Sequence, residues 1–329
     1  MMINFAVQMS DLMTNVKPDH HVPLVSVIIP NYNHAAYLEE RIQSVLNQSF
    51  PDFEVIILDD CSTDNSRAII ERYQDHPKVS KVIYNEENSG SVFRQWKKGV
   101  ANARGKYIWM AESDDYCEAS LLQHLVNGLE AHAQCSVAYC QSNIIDMNGR
   151  ITWQSRHNKL TDTIDGRAFI HHHLAMYCSI FNASMAIFRK ELFSAVSEEY
   201  LTFRFSGDWF FWVEMCKLGD VFISGRTLNY FRNHTGDVTT TAVRTGQNYI
   251  EATRIIIKLY DEQLIPRKVY QRAFRKQYRQ YWERRREFNG AVLENLRACF
   301  YDPQRTHLSP LMLRLDAWWK HTRNKFSKK

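Results

Sequence analysis

Two adjacent carboxylates, Asp114 and Asp115, close the tetrapeptide Glu112-Ser113-Asp114-Asp115, directly after the apolar run Tyr107-Ile108-Trp109-Met110-Ala111. Such a pair packs poorly at a strand's carboxyl end, but its oxygens suit a hard divalent cation. The chemistry indicated is a seat for a metal-bound diphosphate. A second acidic pair, Asp59-Asp60, ends the apolar run 53–58, where a carboxylate could accept the N3 hydrogen of a uracil-like base or grip a ribose hydroxyl. A third carboxylate, Asp208, lies between aromatic runs in Ser206-Gly207-Asp208-Trp209. It could take a proton from a hydroxyl or cap an apolar helix over 209–218, and one carboxylate can do both. Asp115 has a similar alternative as the cap of a helix beginning near Glu118.

The elements that must position these groups are legible from their periodicity. Val25-Ser26-Val27-Ile28-Ile29 is a β-branched run stopped by Pro30-Asn31-Tyr32-Asn33. The runs 53–58 and 79–84 also enter polar loops, Asp59-Asp60-Cys61-Ser62-Thr63-Asp64-Asn65-Ser66 and Asn85-Glu86-Glu87-Asn88-Ser89-Gly90. In the second loop Asp64 or Ser62 is better placed than Asp60 to cap a helix, which leaves Asp60 for ligand. Between the strands, Leu38, Ile42, Val45 and Leu46, then Ile69, Ile70 and Tyr73, then Val92, Trp96 and Val100 recur at helical spacing. Alternating strands and helices predict βαβ units and a mostly parallel sheet. Right-handed crossovers bring the loops to one edge, where such sheets bind ligands.

The segments VSVIIPNYN (25–33), LDDCSTDNS (58–66), Asn88-Ser89-Gly90 and WMAESDD (109–115), in this order and spacing, resemble the family 2 glycosyltransferases. These are inverting, nucleotide-sugar-dependent enzymes of the GT-A fold, and the resemblance covers residues 24–245. It implies a mostly parallel central sheet flanked by helices, with residues 246–329 as a helical appendage and 1–23 as an extension. It also implies a divalent metal, Mn²⁺ or Mg²⁺, with Asp115 as direct ligand and Asp114 near the ribose or a metal-bound water. Asp60 would read the nucleotide, Pro30 and Asn31 would pass beneath the base, and the Tyr32 ring would be available to stack on it. Arg94 would approach the base or diphosphate, although its surroundings, Phe93-Arg94-Gln95-Trp96, are offset by one residue from the Ala-Arg-Asn of many relatives.

Asp208 matches the general base, with Gly207 where the family carries Glu. Tyr230-Phe231-Arg232-Asn233-His234-Thr235 resembles a late segment that approaches diphosphate and metal. That makes His234 a metal ligand or phosphate donor and Arg232 a phosphate partner. No QxxRW sequence of the processive relatives occurs, which favours transfer of a single sugar. The acceptor would be a saccharide or a lipid-linked saccharide of cell-surface polymer or glycolipid assembly. A nucleotidyltransferase should instead carry a Gly-rich phosphate loop after its first strand, and no glycine follows Ile29 there. A non-catalytic donor-binding or scaffolding relative would keep Asp60 and Asp115 and tolerate loss of Asp208.

With 329 residues and 45% hydrophobic content, the chain can bury a large core plus an appendage. It carries no membrane-length apolar run and no signal-peptide pattern at its start, so a cytoplasmic protein is expected. Seven cysteines without a CxxC pair fit reduced thiols rather than a zinc ribbon or disulfide framework. His171-His172-His173 would point three ways from a helix, which favours packing or surface over a metal site. Residues 266–329 hold 17 Lys and Arg against 5 Asp and Glu, a net +12, leaving −7 for the remainder of a chain of net +5. Arginines interleave with aromatics from 267 to 286, and Leu311-Met312-Leu313-Arg314-Leu315-Asp316-Ala317-Trp318-Trp319-Lys320 is a second amphipathic stretch. Such faces suit either an anionic membrane surface or packing on the catalytic domain. No nucleic-acid motif accompanies the charge, so nucleic acid is not expected as a partner.

Overall fold

The computed structural model describes residues 21–233, 244–301 and 308–326. Its first four apolar runs pair in parallel: β1 (Val25–Asn31) lies between β2 (Phe53–Asp59) and β4 (Tyr107–Met110), and β3 (Val79–Tyr84) flanks β2. Every residue of β1, β2 and β4 is buried, as expected of parallel strands covered on both faces. Each apolar side chain so buried stabilises the fold by about 1.5–3 kcal/mol. β1 runs two residues past the stop expected at Pro30, because Pro30 and Asn31 stay in register with Leu58 and Asp59.

Beyond β4 the sheet is mixed. It continues through β9 (Ala186–Arg189), β6 (Cys135–Ile145), β10 (Asp220–Arg232) and β5 (Tyr116–Cys117). β9 is antiparallel to both its neighbours, whereas β6 and β10 are parallel to each other. β7 (Ile151–Gln154) and β8 (Thr161–Ile164) pair on β6 and β10.

Helix α1 (Ala35–Leu46) buries Leu38, Arg41, Ile42 and Val45, one face at i, i+3, i+4 and i+7. α2 (Ser66–Glu71) and α3 (Val92–Asn102) cover the same half of the sheet, and α4 (Leu121–Ala131) packs beneath β6 and β10. α5 (Gly166–Phe169) leads into a π-helical turn at Ile170–Leu174. There the His173 ring stacks on Phe169 at 4.7 Å and His171 lies 4.3 Å from His172, so the histidine tract pairs rings. α6 (Gly207–Lys217) is buried on nearly all sides.

The C-terminal region forms α7 (Gln247–Asp261), α8 (Arg267–Arg284), α9 (Gly290–Tyr301) and α10 (Pro310–Phe326). Tyr270, Phe274, Tyr278, Tyr281 and Phe300 make an aromatic core among these helices, with Tyr278 and Phe300 edge to face at 5.3 Å. Thus α7 joins the region to the rest of the molecule: Lys258 bridges Glu199 at 3.0 Å, and Glu251 is buried against the loop before α6. Among the described residues no helix is long and apolar enough to cross a membrane.

Candidate active site

The carboxyl ends of β1 and β2 are tied into one floor. Asn31 Nδ2 donates to Asp59 Oδ1 at 2.8 Å and to Ser62 Oγ at 3.1 Å, while Asn33 Oδ1 accepts from Thr63 N–H at 2.7 Å. Asn33 and Cys61 turn the chain through left-handed backbone, with φ of 56° and 62°. Asp64 accepts from Ala35 N–H at 2.8 Å and from Ser66 N–H at 2.9 Å, so one carboxylate serves the starts of both α1 and α2. Pro30 and Asn31 are buried in this floor, whereas the Tyr32 ring is 46% exposed above it.

Asp60 is buried and heavily engaged. Its carboxylate accepts from Asn85 Nδ2 at 2.5 Å, Ser89 N–H at 2.9 Å, Ser89 Oγ at 2.8 Å and Gln95 Nε2 at 2.9 Å. It therefore shapes the 85–90 loop beside the crevice. Exposed Arg94 donates to the carbonyl of Ser89 at 3.0 Å, which places its guanidinium on the same loop.

The acidic tetrapeptide crosses from β4 to β5. Glu112 accepts from the Trp96 indole N–H at 2.9 Å, and its backbone carbonyl accepts from Arg41 Nε at 2.8 Å. Asp115 caps no helix: residues 116–117 are strand, and α4 begins at Leu121. Its Oδ1 accepts from Arg232 N–H at 3.0 Å, its Oδ2 accepts from Asn182 Nδ2, and Arg41 Nη2 stands 3.8 Å away. Burial, aggravated by the charge of Asp114, pushes the Glu112 carboxyl up to about 8 and raises Asp115 for the same two reasons. Asp114 is half-buried. Ser113 Oγ meets His34 Nδ1 at 2.8 Å, linking this segment to the β1 loop. The Arg232 guanidinium is held within the protein, donating to Glu40 at 2.7 Å and to the Asp114 carbonyl at 3.0 Å.

Asp208 belongs to a different wall. It occupies the first turn of α6 rather than the cap, which is Ser206, and its Oδ1 accepts from Trp209 N–H at 2.8 Å. Burial pushes its carboxyl up to about 7, with a smaller contribution from the charge of Glu251. Glu251 in turn accepts from three successive backbone N–H groups, Arg204, Phe205 and Ser206, at 2.9, 3.0 and 2.8 Å. Gly207 stands where a Cβ would lie 2.5 Å from Phe93 Cε2 and 2.7 Å from the Tyr200 carbonyl, so no larger residue fits. Through this contact, and through Trp96 packed edge-on to Phe211 at 5.6 Å, α3 connects the wall of Asp208 to the group around Glu112.

The acidic segment fits a divalent cation in kind. Asp114 and Asp115 crowd negative charge that Arg41 offsets from 3.8 Å, and each Asp115 oxygen retains a lone pair beyond the hydrogen bond it accepts. Among the described residues no three His, Cys, Asp or Glu side chains form a ready cage. That agrees with Mg²⁺-type sites, which use one or two carboxylates and take the remaining ligands from substrate phosphates and water. His234 lies outside the described residues.

Arg41, Asn182, Trp96 and Glu251 escaped the sequence reading. Arg41 and Glu251 had a signal, since each is a charge on the apolar face of its helix. A separate cleft of about 560 Å³, lined by His21, Asp52, Phe53, Glu54, Lys78 and Arg104, sits at the amino-terminal edge of the strands, away from these groups.

The profile of glycosyl transferase family 2 matches residues 26–197, more than half of the chain. A protein of Bacillus subtilis named for glycosyl transfer in teichuronic acid biosynthesis, TuaG, is 46% identical over 103 residues, 31% of this chain and 38% of its own length. The chain thus spans well under half of that relative. The crystal structure of Staphylococcus aureus TarS 1–349 with UDP-GlcNAc superposes with a TM-score of 0.60 at 22% identity, covering 79% of this chain and 72% of that one. The mannosyltransferase PcManGT of Pyrobaculum calidifontis, solved with GDP-Man and Mn²⁺, gives 0.53 at 16% identity, covering 93% and 89%. At these identities the two structures speak to the fold, which is the GT-A fold. With the profile spanning the strands, loops and acidic segment described above, the chain belongs to glycosyl transferase family 2.

Proposed function

We propose that this chain is an inverting glycosyltransferase, moving one sugar from a nucleotide-diphosphate sugar of the UDP class to an acceptor hydroxyl. The acceptor is a saccharide or lipid-linked saccharide of cell-surface polysaccharide or glycolipid assembly, met on the cytoplasmic side. Residues 24–245 form the catalytic unit, and 246–329 attach to it through α7.

One observation carries the reading: the β1 and β2 floor, the loop held by Asp60 and the Glu112-to-Asp115 segment share the carboxyl edge of adjacent parallel strands. That edge is where open α/β sheets take nucleotides. The base lies over Pro30 and Asn31 beside the Tyr32 ring, and Asp60 and Arg94 act through the 85–90 loop. Asp115, with His234, would hold a divalent cation together with the donor phosphates, and Asp114 would lie near the ribose or a metal-bound water. Held there, Mn²⁺ or Mg²⁺ would supply Lewis-acid charge to the leaving diphosphate. Asp208 takes the proton of the acceptor hydroxyl as that oxygen attacks C1 from the face opposite the departing diphosphate. A carboxyl raised to about 7 is matched to this task near neutral pH. The names of relatives support the substrate class, since TuaG is named for a cell-wall polymer and TarS was solved with a UDP-sugar.

The test is release of nucleoside diphosphate from a panel of nucleotide sugars with Mn²⁺ or Mg²⁺, with and without chelator. Metal-dependent release from one donor, abolished in Asp208→Asn while donor still binds, is the expected result. Binding to no donor in the panel overturns the transferase reading, and full turnover by Asp208→Asn removes that residue from the role.

A further inference from the structure

Helix α10 has two apolar faces, and the protein covers one of them. Leu313 and Ala317 are buried, and Asp316 pairs with Arg279 of α8 at 3.0 Å. Leu311, Leu315 and Trp318 recur at i, i+4 and i+7, with Met312 and Trp319 beside them, and these five side chains are 52–65% exposed. An outward stripe of two leucines, a methionine and two tryptophans costs solubility unless something covers it. Most of the other exposed large apolar side chains are scattered, whereas these are gathered on one helix face.

Beside the stripe runs a line of cations. Lys268, Arg272, Arg275 and Arg279 follow one another at i, i+4, i+7 and i+11 along α8 and, with Gln271 and Asp316, line a groove of about 230 Å³. Asp316 is the one carboxylate of that lining, so like charges at helical spacing repel each other there. Asp316 stands four residues after Met312 and three before Trp319, which puts the groove along the edge of the stripe.

The charge decides the occupant. A second copy would bring its own C-terminal region of net +12 against this one, so self-association through the face is opposed. A bilayer rich in anionic headgroups satisfies both features, because apolar and indole side chains enter the interface while the cations meet the phosphates. We propose that α10 and the cationic groove beside it dock this protein on an anionic bilayer surface, with the helix lying in the interfacial plane. The inference concerns where the protein sits, and it is measured without donor or acceptor, so it stands or falls separately from the transferase reading.

The experiment is sedimentation of the full chain with phosphatidylcholine vesicles, with and without about 30 mol% phosphatidylglycerol, in about 0.1 M and about 1 M salt. The chain should pellet with the anionic vesicles at low salt and be released at high salt. Leu311→Ser/Trp318→Ser should weaken partitioning about tenfold or more with an unchanged melting curve, since both side chains are exposed. Lys268→Glu/Arg272→Glu should remove the preference for anionic lipid. Failure to pellet at low salt, or wild-type partitioning by both variants, overturns the proposal. So does a dimer in light scattering that the Leu311 and Trp318 substitutions dissociate in place of vesicle binding.

Discussion

The guanidinium of Arg41 stands 3.8 Å from Asp115, and both side chains are sealed from solvent. Arg41 Nη1 and Nη2 find no hydrogen-bonding oxygen among the described residues, so this cation acts on its surroundings mainly through charge. It is the counterweight to the carboxylates of half-buried Glu112 and buried Asp115. Arg41→Met should therefore destabilise the fold by about 3 kcal/mol, the cost of leaving a buried charge without its partner. Urea unfolding at neutral pH reads this directly; a loss below about 1 kcal/mol would show that the pair contributes little.

Asp208 should trade stability for reactivity. Its carboxyl is raised from 3.8 to about 7, so between those values the unfolded chain ionises it and the folded chain does not, and stability falls as pH rises through that window. Asp208→Asn is spared this penalty. Melting at pH 8 should show the variant more stable by about 1–2 kcal/mol, with no gain at pH 4. The wild-type transfer rate should rise through an acidic limb with its midpoint near 7.

The close approach at Gly207 predicts that Gly207→Ala forces Phe93 and the 200–207 segment apart, because its Cβ would fall 2.5 Å from the Phe93 ring. Overpacking of this kind costs about 1–3 kcal/mol. Chemical denaturation should recover part of that loss in Gly207→Ala/Phe93→Leu. Equal losses in both backgrounds would place the strain elsewhere.

Glu251 holds three backbone N–H groups at the approach to Asp208 from a position 45–47 residues further along the chain. In Glu251→Gln an amide donor faces donors, and the loop before α6 should loosen. The expected outcome is a fall in kcat with the donor KM unchanged, together with a stability loss of about 1.5–3 kcal/mol. An unchanged kcat would confine Glu251 to a structural role.

The amino-terminal half of the sheet was readable because its signals are local. The run 53–58 is a wholly buried strand and 79–84, with Ser80 and Lys81, is a strand partly open to solvent, the polar loops follow them directly, and Asp64 serves the first N–H of α2 from the position before its cap, Asn65. What escaped depends on residues that meet only after folding. The sequence could not show that Asp60 is enclosed by Asn85, Ser89 and Gln95, nor that Asp115 is held by Asn182 and Arg232. The antiparallel insertion of β9 was hidden for the same reason: four buried residues between two 3₁₀ turns leave too little periodicity to announce a strand. Gly207 looked like a departure from the family's Glu-Asp pair, and the packing of Phe93 accounts for it.

Asp115 finds Asn182 67 residues later and the Arg232 amide 117 residues later. During synthesis the chain therefore makes the floor of β1 and β2 early and completes the surroundings of Asp115 late, since the amino-terminal segments emerge first. A nascent chain released before Arg232 would carry the four parallel strands with Asp115 lacking the backbone N–H that Arg232 donates. The order of translation thus leaves Asp115 without its Asn182 and Arg232 partners until β10 has left the ribosome.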